Sequence, residues 1–557
     1  MVEAKIISSL EKCFIDQKLS DFGELKKARM YRNERFSIQL AACDEDDAWN
    51  AGKFYRIEIS GPLAPYATVR MVESVPNYLP VHSTKNYVLK TDSDYLRVTP
   101  GLYPDVLIPL VYKNKMTVVN QQLHAAWIDF EPSGALTGGT CETKICLYND
   151  KDEKITENII EIEIIPVDLP EQEMKVTQWF YTDCLANYYN VEPFSDRHFE
   201  ICENYIKTAV KNGNNMILMP VFTPPLDTEV GGERLTTQLV KVTVDDGAYS
   251  FDFSLVDRWL DMCERCNVKY IEVSHLFSQW GAYNAPKIMA TADGEYKKIF
   301  GWDTDASGEE YSRFLRCFLT EFTAYLEKHW DKGKCFFHIS DEPQEEHLEQ
   351  YGKDKKIIAD ILKDWKIIDA MSHVEFYKQG LCENPVPCID RIEPFLNEDI
   401  KDRWAYYCGQ WIGVSNRMLA MASARTRFIG TQFYKYDIQG FLHWGYNFYN
   451  NRMSCDSVNP FLNTNGGYWG PGGDCFIVYP AQDGTALESI RILVLKQAYD
   501  DVRAMKLCES FYGKEKVVEE IEKICGMNIT FAKCVTNNET MLKIRSRIDD
   551  MVLEALK

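Results

Sequence analysis

The sequence lacks several things, and each absence narrows what the protein can do. No apolar run is both long enough and uncharged enough to span a bilayer. The opening stretch Met1 to Leu10 mixes polar and apolar residues and does not read as a signal peptide, so a cytoplasmic location is expected. Cations are scarce, with 62 Lys and Arg against 83 Asp and Glu and a formal net charge of −21. A surface that acidic repels phosphate backbones and anionic lipid, which argues against nucleic-acid and membrane partners and favours a neutral substrate. There is no G-x-x-x-x-G-K-S/T loop, no G-x-G-x-x-G after a strand, no G-x-S-x-G elbow and no H-E-x-x-H. The nine histidines do not cluster with ligand spacing, so neither a cofactor nor a catalytic metal is expected. Internal repeats and low-complexity tracts are absent too.

What is present is a long, aromatic-rich globular chain. At 557 residues it is too long for one ordinary domain. Aromatics make up 13%, including 12 Trp and 31 Tyr, which suits a protein that stacks rings against sugars and equally suits large cores. The 18 Cys, in a chain without an export signal, read as reduced thiols. Cys263 and Cys266 form a lone C-x-x-C on the apolar side of a helical pattern, where burial is the better reading than metal or redox chemistry.

The organisation changes once along the chain. In the first third Tyr55, Ile57 and Ile59 alternate with charged neighbours, as do Ile160, Ile162 and Ile164 with Glu161 and Glu163. This period of two predicts half-buried strands, and residues 1–168 are expected to form an all-β sandwich. From 169 to 510 short apolar runs alternate with amphipathic helices, the pattern of an α/β (β/α)8 barrel. Its eight candidate strands are Trp179–Thr182, Met216–Pro220, Tyr270–His275, Phe336–Ser340, His373–Tyr377, Val386–Ile392, Ala405–Gly409 and Gly440–Tyr446. Helical stripes through Tyr311, Phe314, Leu315, Phe318, Phe322 and Tyr325, and through Ile357, Ile358, Ile361, Leu362 and Trp365, are expected to pack against the barrel. Residues 511–557 read as a short helical tail.

In such a barrel the active site gathers at the C-terminal ends of the strands. The fourth strand runs straight into Asp341-Glu342-Pro343, and two adjacent carboxylates at the exit of an apolar strand are costly to bury without a purpose. Pro343 is expected to hold Glu342 extended. Around them, Trp280, Trp444 and Tyr446 could stack on sugar faces, and His275 and Asn447 could hydrogen-bond hydroxyls.

At these segments the sequence resembles glycoside hydrolase family 123 and the wider domain-of-unknown-function family 4091. The resemblance lies in His338-Ile339-Ser340-Asp341-Glu342-Pro343, in Gly440 to Asn447, in Gly473 to Pro480 and in Ser489-Ile490-Arg491. It extends to Pro224-Pro225-Leu226-Asp227 and Tyr103-Pro104-Asp105. It implies an oligosaccharide or glycoconjugate substrate and cleavage of terminal β-linked N-acetylhexosamine, in particular N-acetylgalactosamine. The mechanism it implies is retaining and substrate-assisted, an exception to the two-carboxylate scheme. The 2-acetamido oxygen would be the nucleophile and form an oxazolinium ion, with Asp341 orienting the acetamido group and Glu342 serving as general acid and base. Two other readings compete. One is a glycosidase with a separate second carboxylate, for which Asp183, Glu272 and Asp390 are the candidates; the other is a non-catalytic carbohydrate-binding protein.

Overall fold

The computed structural model describes residues 2–46, 52–81, 95–110, 115–132, 136–409 and 413–557. The chain forms two compact units. One is Met1–Gln172 with Ile412–Lys435 and Leu487–Lys557, the other Glu173–Trp411 with Tyr436–Ala486.

The first unit contains a β-sandwich of two five-stranded sheets. One has the order Val2–Ser8, Phe36–Asp44, Leu123–Phe130, Ala67–Asn77, Gly101–Pro109, and the other Lys27–Tyr31, Lys154–Ile165, Gly139–Tyr148, Lys53–Ser60, Lys115–Val118. The period-two patterns do the expected work: Ile160, Ile162 and Ile164 enter the core, while Glu161 and Glu163 face outward to Lys27 and Arg29 of the neighbouring parallel strand. Helices Ser423–Lys435 and Ile490–Tyr512 also belong to this unit and lie against each other. Gly430 permits the approach, because a Cβ there would stand 2.2 Å from the Ala498 carbonyl oxygen. Asp105 binds Arg491 bidentately at 2.9 and 2.8 Å with both residues buried, so two of the segments that carried the family resemblance meet in one ion pair. Helices Lys514–Cys525 and Asn538–Ala555 follow.

The second unit holds an eight-stranded, all-parallel sheet in the order Asn384–Val386, Lys366–Ala370, Cys335–Phe337, Tyr270–Val273, Met216–Met219, Lys175–Gln178, Gly440–His443, Trp404–Tyr406. The two ends come together through a parallel bridge between Cys388 and Tyr406, and the Ile389 N–H donates to the Tyr406 carbonyl at 2.9 Å, so the sheet is a nearly closed barrel. Its strands are short and apolar on both faces, as in Met216-Ile217-Leu218-Met219, which is wholly buried. Three strands differ from expectation, the sixth because it is Asn384–Val386 and shares only Val386 with the expected Val386–Ile392. The first is Lys175–Gln178, just before the aromatic run at Trp179. The fifth is Lys366–Ala370, and the 373–377 segment instead carries a short helix, Glu375–Lys378. The Ile367-Ile368 run that forms this strand abuts the helical stripe ending at Trp365 and reads as its continuation.

A four-stranded side sheet in the order Ala248–Asp252, Lys241–Asp245, Ile288–Ala292, Glu295–Phe300 was not anticipated. The Phe314 and Phe318 stripe of helix Glu309–His329 packs on Phe251 of that sheet as well as on Phe222, with ring centroids 4.7 to 5.8 Å apart. Among the described residues no helix is long and apolar enough to cross a membrane.

Candidate active site

The carboxyl pair hangs between the extensions of two neighbouring strands. Beyond Phe337 the fourth strand continues as an extended segment: Leu276 and Phe277 donate backbone N–H groups to the His338 and Ile339 carbonyls at 3.1 and 3.0 Å. The Ser340 hydroxyl donates to the Ser278 carbonyl at 2.8 Å, and Trp280 N–H donates to the Asp341 carbonyl at 2.8 Å. On the other side Glu342 N–H donates to Ala370, the last residue of the fifth strand, at 3.0 Å. Glu342 is not extended as Pro343 suggested; its φ is +44°, in the left-handed region that non-glycine residues rarely occupy. Such a turn breaks the pleat that would send consecutive side chains to opposite faces, and so lets both acids address the barrel mouth. The Tyr406 hydroxyl, from the end of the seventh strand, donates to Glu342 Oε1 at 2.5 Å.

Desolvation dominates the electrostatics of the pair. Burial pushes the Asp341 carboxyl well above its ordinary range, and the Glu342 charge adds to it; His338 pulls the other way. Burial raises Glu342 too, helped by Asp390 and Asp474 and opposed by the Tyr406 hydrogen bond. Two interacting carboxyls raised together lose their protons in two steps that belong to the pair.

Behind the pair lies a buried polar network. His338 Nε2 meets Glu272 Oε1 at 2.5 Å and Nδ1 meets Asp369 Oδ1 at 3.2 Å. Thr177 and the Trp179 indole N–H donate to Glu272 at 2.6 and 2.8 Å, and the Tyr351 hydroxyl donates to Asp369 at 2.6 Å. Burial works against charging His338, but the hydrogen bonds to Asp369 and Glu272 outweigh it and raise its pKa to about 9. His338 is therefore an imidazolium at neutral pH, a fixed positive charge whose field favours an ionised Asp341.

The expected sugar-binding residues divide. Trp280 stands 37% exposed beside Asp341 and can serve as a stacking platform. Trp444 is half-buried, edge-on to Trp469 at 5.5 Å, and its indole N–H reaches Asp474 at 3.3 Å. His275 is buried and stacked on His338 at 4.2 Å; burial and that neighbouring charge hold it neutral. Tyr446 and Asn447 do not fit the role given them. The Tyr446 ring is fully buried beside Phe180 and its hydroxyl donates to the Tyr205 carbonyl at 2.9 Å. Asn447 is also fully buried and spends its amide on Tyr181, accepting from the N–H at 2.9 Å and donating to the carbonyl at 3.0 Å. It positions Tyr181 and has no free group for a sugar hydroxyl.

Tyr406 and Asp474 act on Glu342, and Asp227 and Tyr181 stand in the field of Asp341, roles the sequence reading had not given them, although Asp227 and Asp474 lay in segments of the family resemblance. Asp474 is delivered by close packing of two segments: a Cβ on Gly445 would stand 2.4 Å from the Cys475 carbonyl oxygen, and Phe448 N–H donates to that same carbonyl at 3.2 Å. A polar residue at a barrel-strand exit was the available signal for Tyr406. Of the candidate second carboxylates, Asp183 is buried in a bidentate pair with Arg234 at 2.6 and 2.9 Å and Glu272 is held in the network, which leaves Asp390. His275, His338 and Asp369 bring possible metal-ligand atoms within 4.8 Å of one another. A metal there would have to displace the bonds His338 makes to Glu272 and Asp369.

Two adjacent carboxyls and the exposed Trp280 stand at the C-terminal end of a parallel barrel, the end where such barrels carry their active sites. Residues 179–508 match the family model for the glycoside hydrolase 123 catalytic domain, and the chain belongs to that family of glycoside hydrolases. A family 123 glycoside hydrolase from Clostridium perfringens, studied for glycolipid glycan hydrolysis, shares the fold. Its TM-score is 0.73 at 15% identity, over 100% of this chain and 98% of that one. Slighter likenesses, which carry no argument, are to a Parabacteroides merdae β-glucuronidase (TM-score 0.31, 9% identity, 90% and 51% coverage) and an endo-β-1,4-mannanase from Thermotoga petrophila (0.35, 10%, 60% and 77%). A search of curated proteins gave no match.

Proposed function

We propose that the enzyme releases terminal β-linked N-acetylgalactosamine with retention of configuration, using the substrate's own acetamido group as nucleophile. The observation that carries this reading is the left-handed turn at Glu342, which sets two consecutive carboxyls into one mouth and within each other's field. Conventional glycosidases place their acids across the scissile bond, roughly 5 to 9.5 Å apart on separate walls. Adjacent acids suit a different division of labour. Asp341 accepts the acetamido N–H and stabilises the positive charge that develops on the oxazolinium ring; Glu342 protonates the leaving oxygen and then deprotonates water.

Burial raises both carboxyls, so in the free enzyme a proton is retained by the pair before substrate arrives. An amide N–H donated to Asp341 favours its ionised form, as does the His338 imidazolium, and the proton then resides on Glu342, where the leaving oxygen needs it. Substrate binding itself completes the catalytic protonation state.

The glycolipid glycans hydrolysed by the Clostridium perfringens relative are the substrate class to try first. Asp390, whose charge reaches Glu342, is the acid a conventional mechanism would use. Proton NMR during hydrolysis of an aryl β-N-acetylgalactosaminide tests the stereochemistry: the β-anomer of the free sugar is expected first, followed by slow mutarotation. If the α-anomer appears first, neighbouring-group participation is wrong.

A further inference from the structure

On the side of the mouth formed by the loop after the second barrel strand, two polar groups stand without a use in the scheme above. Asp227 follows Pro224-Pro225-Leu226 and has φ +41°, another left-handed non-glycine residue. Its conformation is clamped from the facing loop: Ser454 Oγ donates to the Asp227 carbonyl at 2.8 Å and Met453 N–H donates to Oδ2 at 3.1 Å. Met453 and Ser454 are themselves left-handed, with φ +61° and +54°. Two loops held in costly conformations to fix one carboxylate is an arrangement found where function demands it. Arg234 does not neutralise that carboxylate directly, because its guanidinium is spent on Asp183 and on the Leu226 carbonyl.

The second group is the Tyr181 hydroxyl, which is buried and makes no hydrogen bond among the described residues. The residue is held firmly: Asn447 grips its backbone from both sides, Phe448 packs edge-on at 5.0 Å, and the Arg234 guanidinium lies 5.1 Å from its ring centroid. A buried hydroxyl left unpaired costs stability, and native proteins rarely keep one without a ligand or water to fill it. Arg234, 5.1 Å from the Tyr181 ring centroid, donates at 2.9 Å to the carbonyl of Leu226, the residue before Asp227, which brings Tyr181 and Asp227 into one neighbourhood, and Asp227 and Asp341 both act electrostatically on the hydroxyl.

We infer that Asp227 and Tyr181 form a polar clamp that grips a ring hydroxyl of the terminal sugar and thereby sets which hexosamine the enzyme accepts. The free Asp227 oxygen accepts the hydroxyl proton and the Tyr181 O–H donates to the same sugar oxygen. A site built to pair a substrate hydroxyl rejects the analogue lacking it, since its own groups are then stranded. The inference rests on the proposed glycosidase reading and adds to it the residues that read the sugar.

The test is a cycle of kcat/KM measurements on wild type, Asp227→Asn and Tyr181→Phe. The substrates are aryl β-N-acetylgalactosaminide and its 3-, 4- and 6-deoxy analogues. Wild type is expected to discriminate against one deoxy analogue by about 10²-fold or more. Each variant should lose most of that discrimination, with the loss falling mainly on KM. Tyr181→Phe should also melt no lower than wild type without ligand, because it removes an unpaired buried hydroxyl. Variants that keep the full wild-type discrimination overturn the clamp, as does a Tyr181→Phe protein that is destabilised. Failure of the wild type on the parent substrate would instead count against the glycosidase reading. Should Asp227→Asn fail to fold, Tyr181→Phe decides the question alone.

Discussion

Replacing Glu342 by Gln should lower kcat/KM by about 10²- to 10⁴-fold on glycosides with poor leaving groups, and by far less on a dinitrophenyl glycoside. The amide cannot supply a proton, so the penalty scales with how badly the departing oxygen needs one. The fold should hardly notice, because a Gln side chain still offers an oxygen to the Tyr406 hydroxyl that now donates to Glu342. With the activated substrate the second step becomes limiting, since water lacks its base, and rapid mixing should show a burst of phenol before a slow steady rate. Equal losses on good and poor leaving groups would remove Glu342 from the general-acid role.

Asp341→Asn should cost about 10²- to 10³-fold in kcat, the scale of removing one preorganised group that meets developing charge. Here the loss should be the same for good and poor leaving groups, because it concerns the oxazolinium charge and not the departing oxygen. The pH dependence supplies a second readout. In wild type the pair must hold one proton, so activity rises as the first proton leaves and falls as the second leaves, a bell with both limbs owned by the pair. The Glu342 charge raises Asp341, and because an interaction between two titrating groups belongs to the pair, the Asp341 charge holds the proton on Glu342 in turn. Without the Asp341 charge, Glu342 releases its proton more readily, and the alkaline limb of kcat/KM should move to lower pH. A limb that stays in place would mean that the two acids do not act on each other as the geometry implies.

The fourth barrel strand could be read from the sequence because its apolar run ends abruptly in Asp341-Glu342, groups that dislike burial, and the eighth because the apolar Phe441-Leu442 pair follows Gly440. The sandwich could be read because alternation such as Ile160 to Ile164 fits no helix. The fifth strand could not, since Lys366–Ala370 follows the helical stripe ending at Trp365 with only the short turn at Lys363-Asp364 to separate it from the helix. The same holds for the turn at Glu342: a following proline argues for an extended residue, while hydrogen bonds with Ala370 and Tyr406 from two other strands, and one from Gln344 to its carbonyl, hold it otherwise. Tyr446 and Asn447 were misplaced for a related reason. Sequence position put polar groups at a strand end, but whether a group is free depends on partners hundreds of residues away, Tyr205 and Tyr181. Asp227 lay in a segment of the family resemblance, but that the buried Tyr181 hydroxyl finds no partner among the described residues is visible only in three dimensions.

The account as a whole depends on the acetamido group of the substrate doing what no enzyme carboxylate does. Inhibition of the wild type by the fused thiazoline of N-acetylgalactosamine, a stable mimic of the bicyclic ion, measures this directly. Competitive binding at least about 10²-fold tighter than that of N-acetylgalactosamine itself is the expected result. A thiazoline that binds no better than the free sugar would contradict it and point to a separate enzyme nucleophile.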